Sequence, residues 1–281
     1  MQKRDVGRTG ERVSVVGFGG IVVMDETPKA AGEYVGFAVD NGVNYFDVAP
    51  TYGNSEERLG AALRPYRKDV FLSCKTAERG KEKARVELES SLKRLHAGYF
   101  NLYQLHAVNT LEEMETVLGK EGALQTFIQA KKEGLIKNIG FSSHSEETAL
   151  KLLEEFAFDT VLFPVNYNCW LKEGFGAALV EKAGKMGTAV LAIKALAEGE
   201  WEKGEKKNWA KCWYRPVDTF EKASLALRFT LSKPVTAAVS PGHFEFFKWM
   251  VEAEKNLNPL LKEEEALLFT PGNNPKPLFK K

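Results

Sequence analysis

The chain has almost no excess of charge of either sign: 39 lysines and arginines stand against 38 aspartates and glutamates, a formal net charge of +1. Without a basic surplus there is no field to concentrate nucleic acid or anionic lipid, and neither is an expected partner. Long apolar runs are also missing. The longest uncharged apolar stretch, Val13–Met24, is well short of the roughly 18 residues a membrane span needs and contains Gly17, Gly19 and Gly20. It follows Lys3, Arg4, Arg8 and Arg12 in the manner of a signal peptide, but Gly17-Phe18-Gly19-Gly20 reads better as a strand running into a turn. Cysteine is scarce: Cys74, Cys169 and Cys212 are odd in number, far apart and without a Cys-x-x-Cys. That excludes a disulfide framework and a zinc site, and it points to a reducing cytoplasm. No metal is expected, since His106 and His144 have no carboxylate or thiolate at ligand spacing.

What is present is a globular composition, 44% hydrophobic and 27% charged over 281 residues, enough for a sizeable core. Short apolar runs alternate with longer segments of helical period. Strands are predicted at Val13–Phe18, Val43–Phe46, Val70–Cys74, Leu102–Leu105, Ile136–Phe141, Thr160–Phe163, Ala189–Ile193 and Val235–Val239. Helices are predicted between them, for instance over Lys81–His96, where Val86, Leu88, Leu92 and Leu95 form a stripe. Start signals support others: Ser145 precedes Glu146 and Glu147, and Asp218 leads into Phe220, Leu225 and Leu227. Eight strands, each followed by a helix, predict an α/β protein with a single (β/α)8 TIM barrel over residues 1–281, and 271–281 as a loosely held C-terminal tail. The rival, a doubly wound open sheet, is weakened because no Gly-x-Gly-x-x-Gly opens a helix after the first strand.

In such a barrel the active site forms where strands end and the next loops begin. Three predicted ends carry polar groups: Asp47 after the second strand, Lys75 after the third and His106 after the fourth, with Tyr52 in the loop that follows Asp47. These four can meet. A phenol titrates near 10, and a neighbouring ammonium favours its ionised form, so Lys75 is expected to lower Tyr52 while Asp47 holds Lys75 charged. The set suits proton donation to a carbonyl oxygen, with His106 hydrogen-bonding the same oxygen. No side chain donates hydride, so a cofactor must bring it.

The segment Phe46-Asp47-Val48-Ala49-Pro50-Thr51-Tyr52-Gly53-Asn54-Ser55-Glu56 resembles the signature of the aldo-keto reductases, and Lys75 and His106 fall where that family has its Lys and His. Val6-Gly7-Arg8-Thr9-Gly10 and Gly17-Phe18-Gly19-Gly20 are similar to the family's N-terminal β-hairpin and first strand, and the likeness extends to about residue 200. The resemblance implies a (β/α)8 barrel and reduction of a small-molecule aldehyde or ketone. In it Tyr52 is the general acid, Lys75 tunes it, Asp47 pairs with Lys75 and His106 orients the carbonyl. It implies NADPH as cofactor, with NADH possible, and Gly19, Ser142, Ser143, Lys194, Ser240, Gly242 and His243 as the cofactor-binding residues. A monomer or weak homo-oligomer is expected.

The chain departs from the family pattern at several loops. Ser142-Ser143-His144 stands where the family commonly has Ser-Asn, and Pro164 takes the place of a Gln ahead of Tyr167-Asn168, leaving Asn166 as the nearest amide. Leu191-Ala192-Ile193-Lys194-Ala195-Leu196 lacks the aromatic that often stacks on the nicotinamide, and Phe244-Glu245-Phe246-Phe247-Lys248 lacks the Arg that contacts a 2′-phosphate. The altered loops keep a catalytically weak nucleotide sensor in view. A lyase forming a Schiff base on Lys75 is a further alternative, opposed by Asp47 because an imine former must be neutral. The loop Trp201–Pro216, with Trp209, Trp213, Tyr214 and several lysines, is expected to form a lid, with Trp213 and Tyr214 lining an apolar substrate pocket.

Overall fold

The computed structural model describes residues 1–269 and 274–281. The chain starts with a hairpin in which β1 (Lys3–Asp5) pairs antiparallel with β2 (Arg12–Ser14). Its turn is closed by Val6 and Glu11 backbones and by Thr9 Oγ1 donating to Val6 O at 2.7 Å. Seven strands follow, β3 (Val16–Gly19), β4 (Tyr45–Asp47), β5 (Phe71–Thr76), β6 (Phe100–Leu105), β7 (Ile136–Ser142), β8 (Thr160–Pro164) and β9 (Ala189–Ile193). After a small ribbon of β10 (Ala197–Gly199) and β11 (Arg215–Pro216), β12 (Ala237–Val239) closes the parallel barrel between β9 and β3. Helices lie between the barrel strands, as the (β/α)8 reading predicts. Among the described residues no helix is long and apolar enough to cross a membrane.

Two hydrophobic layers follow from the two faces of each strand. Tyr45, Phe71, Leu102, Leu162, Leu191 and Val239 belong to the inner cluster. Phe46, Leu72, Cys74, Tyr103 and Leu105 join the larger cluster between sheet and helices. Val6 and Val13 belong to the inner set, so the hairpin plugs one end of the barrel. A Cβ on Gly7 would lie 2.5 Å from Gly187 O, just ahead of β9, which fixes that end as the one where strands begin. The opposite end is left for the site.

The predicted first strand, Val13–Phe18, is in fact two. Ser14 Oγ donates to Val16 O at 2.7 Å and Val15 N to Gln2 O at 3.0 Å, so the chain bends there and hands over from hairpin to barrel. The helix Lys81–Arg94 buries Ala84, Leu88, Ser91 and Leu92, whereas Val86, assigned to the buried stripe from sequence, is 65% exposed. The helices Leu111–Leu118, Tyr167–Glu173 and Lys262–Leu268 were not predicted. Of the tail expected to be loosely held, 271–273 lie outside the described residues. From Asn274 onward the chain makes defined contacts: Pro275 O accepts from Asn168 Nδ2 at 3.0 Å, Lys276 pairs with Glu200 at 2.7 Å, and the Phe279 ring stacks on His144 and Phe175.

Candidate active site

Strand alternation decides which side chains reach the barrel axis. On β4 the inward residues are Tyr45 and Asp47; on β5 Phe71, Ser73 and Lys75; on β6 Leu102 and Gln104, with His106 next in the same phase. Register then brings them level, since Asp47 lies opposite Ser73 and Lys75 opposite Gln104. The result is a polar layer above the apolar one. Ser73 Oγ donates to Asp47 Oδ1 at 3.0 Å, and Gln104 Nε2 donates to Asp47 Oδ1 at 3.2 Å and to Ser73 Oγ at 2.8 Å. Lys75 Nζ donates to Asp47 Oδ2 at 2.5 Å and to Val48 O at 3.1 Å, with both side chains of the ion pair nearly sealed from solvent. Ser73 and Gln104 were missed from sequence, although each sits two residues before a residue that was named, on the same strand face.

Tyr52 arrives from the loop between β4 and the helix Ser55–Leu63. The Lys75 ammonium is 5.4 Å from its ring centroid, and the His106 ring meets it edge-on with centroids 6.0 Å apart. Asp47, Tyr52, Lys75 and His106 are thus brought together. His106 is held by its backbone: its N–H donates to Thr76 O, while Arg79 donates to His106 O at 2.8 Å and to Ala107 O at 3.0 Å and pairs with Glu113. Ala107 has φ 51°, a left-handed conformation costly for a residue with a Cβ, and these bonds hold it there.

The electrostatics differ from the expectation in one respect. Burial raises Tyr52 above the ordinary phenol value, and the opposing pull of Lys75 does not overcome it. Burial also works against the Lys75 ammonium, but Asp47 and Tyr52 outweigh it, and its pKa lies above the usual lysine value. His106 is lowered to about 3, by burial first and then by the Lys75, His144, Arg79 and Lys194 charges, so its imidazole is neutral at physiological pH. The site holds a protonated phenol, an ammonium and a neutral imidazole.

These residues open into a cavity of about 220 Å³. Asp47, Tyr52 and His106 form part of its wall; Gly19, Ser142, Lys194, Ser240 and Gly242, assigned from sequence to the cofactor, form another part. Ser142 Oγ accepts from Ala107 N at 2.7 Å, and Ser240 Oγ accepts from Gly19 N at 3.0 Å. A Cβ on Gly19 would come within 2.5 Å of Ser240 O, so β3 and the loop after β12 touch backbone to backbone. Ser143 and His243 are not on the wall. Ser143 Oγ accepts from Ser145 N and donates to Ser145 O, and His243 Nε2 accepts from Lys211 N at 3.0 Å.

Several wall residues were not assigned from sequence or were assigned only to a lid. Lys211 comes over from the loop before β11 and binds Glu26 at 2.8 Å and Val22 O at 3.0 Å, across the mouth. Trp213 and Tyr214 reach the cavity as expected, Tyr214 buried and Trp213 58% exposed. His144 is there too, its Nε2 buried without a hydrogen-bond partner. The helix Phe244–Glu254 begins beside Ser240–Gly242, and its N-cap, His243, makes no side-chain capping bond, so the first-turn amides are left for another acceptor.

A sequence model described as the Aldo/keto reductase family matches residues 16–266. The chain belongs to the aldo/keto reductase family. Among curated relatives it is 33% identical over 157 residues to the uncharacterized oxidoreductase YqkF of Bacillus subtilis (strain 168), which covers 51% of this chain and 49% of that one. It is 32% identical over 166 residues to the aldo-keto reductase YhdN of the same strain, over 52% of this chain and 48% of the relative. The matched region thus spans about half the length of these curated relatives. The holo form of an aldo-keto reductase from Bacillus halodurans superposes with a TM-score of 0.74 at 22% identity, covering 95% of both chains, a likeness of fold. A putative aldo-keto reductase from Pseudomonas aeruginosa superposes with a TM-score of 0.72 at 25% identity, covering 90% of this chain and 95% of its own. The aldo/keto reductase barrel, with its N-terminal hairpin, is therefore the fold of this chain.

Proposed function

We propose that this aldo/keto reductase family member reduces an aldehyde or ketone to the alcohol, using a nicotinamide dinucleotide. The observation that carries the reading is the Tyr52 phenol facing the Lys75 ammonium at one wall of the cavity, with the neutral His106 ring edge-on to it. Tyr52 keeps its proton until an acceptor needs it, because burial holds its pKa high. When the carbonyl oxygen gains negative charge, Tyr52 donates that proton, and Lys75 stabilises the phenolate left behind. Asp47 keeps Lys75 charged and oriented; Ser73 and Gln104 fix Asp47 in turn. His106, neutral, hydrogen-bonds the carbonyl oxygen and sets its direction. In a cavity largely closed to water these charges act at low local dielectric and are not reorganised during the reaction.

The dinucleotide, when bound, supplies the hydride to the carbonyl carbon. The residues proposed to hold it are Gly19, Ser142, Ser240 and Gly242 on the cavity wall, with the uncapped start of Phe244–Glu254 receiving phosphate. NADPH is the proposed donor and NADH the alternative. Lys248, the nearest lysine in that helix, already pairs with Glu245 at 3.3 Å, so a 2′-phosphate would have to compete for it. Three unpaired, buried thiols support a reducing compartment such as the cytoplasm. The lyase alternative is disfavoured by the Asp47–Lys75 pair, which keeps the amine protonated. The test is absorbance of NADPH, and separately NADH, with a panel of aldehydes, quinones and dicarbonyls. Binding of neither dinucleotide would sink the reading, and binding without turnover would favour the sensor.

A further inference from the structure

The charged groups on the cavity wall are neutralised in pairs, with one exception. Asp47 is matched by Lys75 at 2.5 Å, and Lys211 is matched by Glu26 at 2.8 Å. Lys194, just past the end of β9, has no carboxylate and no hydrogen-bond acceptor among the described residues. Its ammonium rests on two aromatic faces, 4.9 Å from the Tyr214 centroid and 5.2 Å from that of Trp213. Ring faces attract a cation without accepting its N–H bonds, so all three donors remain for a ligand. Lys194 also has φ 65°, a strained conformation for a residue with a Cβ. Against the C-terminal tail, a second group is unfulfilled on the same wall: His144, its ring stacked on Phe279 at 5.3 Å, carries the unpartnered Nε2. The two are close enough for the Lys194 charge to lower His144, after burial, to about 4, and Lys194 also contributes to the lowering of His106.

We propose that the carbonyl substrate carries a carboxylate, and that Lys194 Nζ and His144 Nε2 hold it while its carbonyl lies at Tyr52 and His106. This rests on the carbonyl-reductase reading and names its substrate class: a small oxo acid. The cavity of about 220 Å³ is below the roughly 300–1,000 Å³ of pockets that take drug-sized ligands, and because residues assigned to the dinucleotide line the same cavity, what is left suits only a small substrate. Leu162 and Ile193 on the same wall give an apolar stretch for the carbon skeleton between the two polar ends. The carboxylate neutralises the one charge that the wall leaves over. A neutral amide of the same shape offers no such compensation and leaves the ammonium unpaired, the kind of mismatch that costs most in a desolvated site.

The test compares para-carboxybenzaldehyde with para-carbamoylbenzaldehyde by calorimetric binding, with and without NADP+, which has no hydride to give. Wild type is expected to bind the acid at least about tenfold tighter than the amide, as a charge-assisted hydrogen bond implies. Lys194→Met brings the two to parity, Lys194→Arg restores a preference for the acid, and His144→Phe, which keeps the stack on Phe279, lowers the ratio partway. Tyr52→Phe keeps the full ratio. Equal binding of acid and amide by wild type, no binding of the acid, or an unchanged ratio in Lys194→Met overturns the proposal. Weakened NADP+ binding by Lys194→Met with the ratio intact also overturns it, assigning the lysine to the dinucleotide's diphosphate. If wild type discriminates in binding but reduces neither aldehyde with NADPH, the reductase reading fails while the carboxylate site stands.

Discussion

On the side of the barrel mouth built by β4, β5 and β6, Asp47, Lys75 and Arg79 each have an opposite charge in contact, and Ser73 and Gln104 fill the remaining lone pairs of Asp47. On the side built by β9 and the loop that returns at β11, Lys194 lies on aromatic rings without an acid, and on the same cavity wall the His144 Nε2 has no partner. The charges of the first side are all matched within it, although Gln104 Oε1 is left without a hydrogen-bond partner, and they hold its chemistry ready. The second is incomplete until something binds. Catalytic groups need a fixed geometry and a fixed protonation state, which interlocked pairs provide. A recognition group must keep capacity unused, at some cost in stability.

The sharpest way to break this comparison is to remove the reacting proton from the complete side. Tyr52→Phe is expected to lower kcat for carbonyl reduction by about 10²–10⁴-fold while leaving the fold and dinucleotide affinity unchanged. Steady-state rates with NADPH and a dinucleotide titration check it; turnover within a few-fold of wild type would remove Tyr52 from the role of acid. Next in size is Asp47→Ala. It strands the Lys75 ammonium in a site almost closed to solvent and should destabilise the protein by about 3–5 kcal/mol, read from denaturant midpoints. Replacing Lys75 by Met in the same chain should recover part of that loss. If the double variant is no more stable than Asp47→Ala alone, the stranded charge is not the cause.

The pH profile probes the same side with a smaller effect. His106 is lowered to about 3 and stays neutral through the usual histidine range. With a carbonyl substrate that carries no carboxylate, and so does not depend on the Lys194 charge, activity should therefore run level from mildly acidic to mildly alkaline pH. The loss comes only where Tyr52 deprotonates, above its ordinary value of 10.0, because burial raises it. Past that point the acid form falls about tenfold per pH unit. An acidic limb near 6.5, the usual histidine value, would mean that His106 is more exposed to water than its surroundings here imply.

The complete side was also the more legible one. Period-two alternation fixes that Asp47, Lys75 and His106 face inward once their strands are placed, and eight strand–helix repeats place the strands. Even Ser73 and Gln104 were within reach of the same alternation. The capping box of Thr110 and Glu113, which starts the missed helix Leu111–Leu118, was readable as Thr-x-x-Glu. What sequence could not supply lies in the loops. Ser143 and His243 are spent on Ser145 and on the Lys211 backbone, and whether such a short polar side chain serves a ligand or its own loop depends on backbone angles that no pattern encodes. Lys211 comes to the cavity wall and Phe279 to the His144 ring from distant stretches of chain, and the raised Tyr52 follows from a burial that only the folded chain creates.

The incomplete side yields the smallest expected change, and its sign is opposite. Removing the partner of Lys75 destabilises, but removing the charge of Lys194 should stabilise, because that charge has no acid to offset its burial. Burial lowers Lys194 from 10.5 to about 8, with Lys75 adding to the fall and the Cys212 thiol opposing it. A base whose folded pKa is depressed weighs against folding while it is protonated. That penalty is present in full below about 8 and disappears as pH rises toward the unfolded value of 10.5, since the unfolded chain binds more protons in between. Lys194→Met, whose thioether packs well on the Trp213 and Tyr214 rings, should be more stable than wild type at neutral pH by about 1 kcal/mol, a rise in Tm of roughly 2–4 °C. The gap should close on titrating toward 10.5. Thermal unfolding of both proteins across that range checks it: a variant less stable than wild type at neutral pH would show that the aromatic faces alone satisfy the ammonium, and the two sides of the mouth would then be alike.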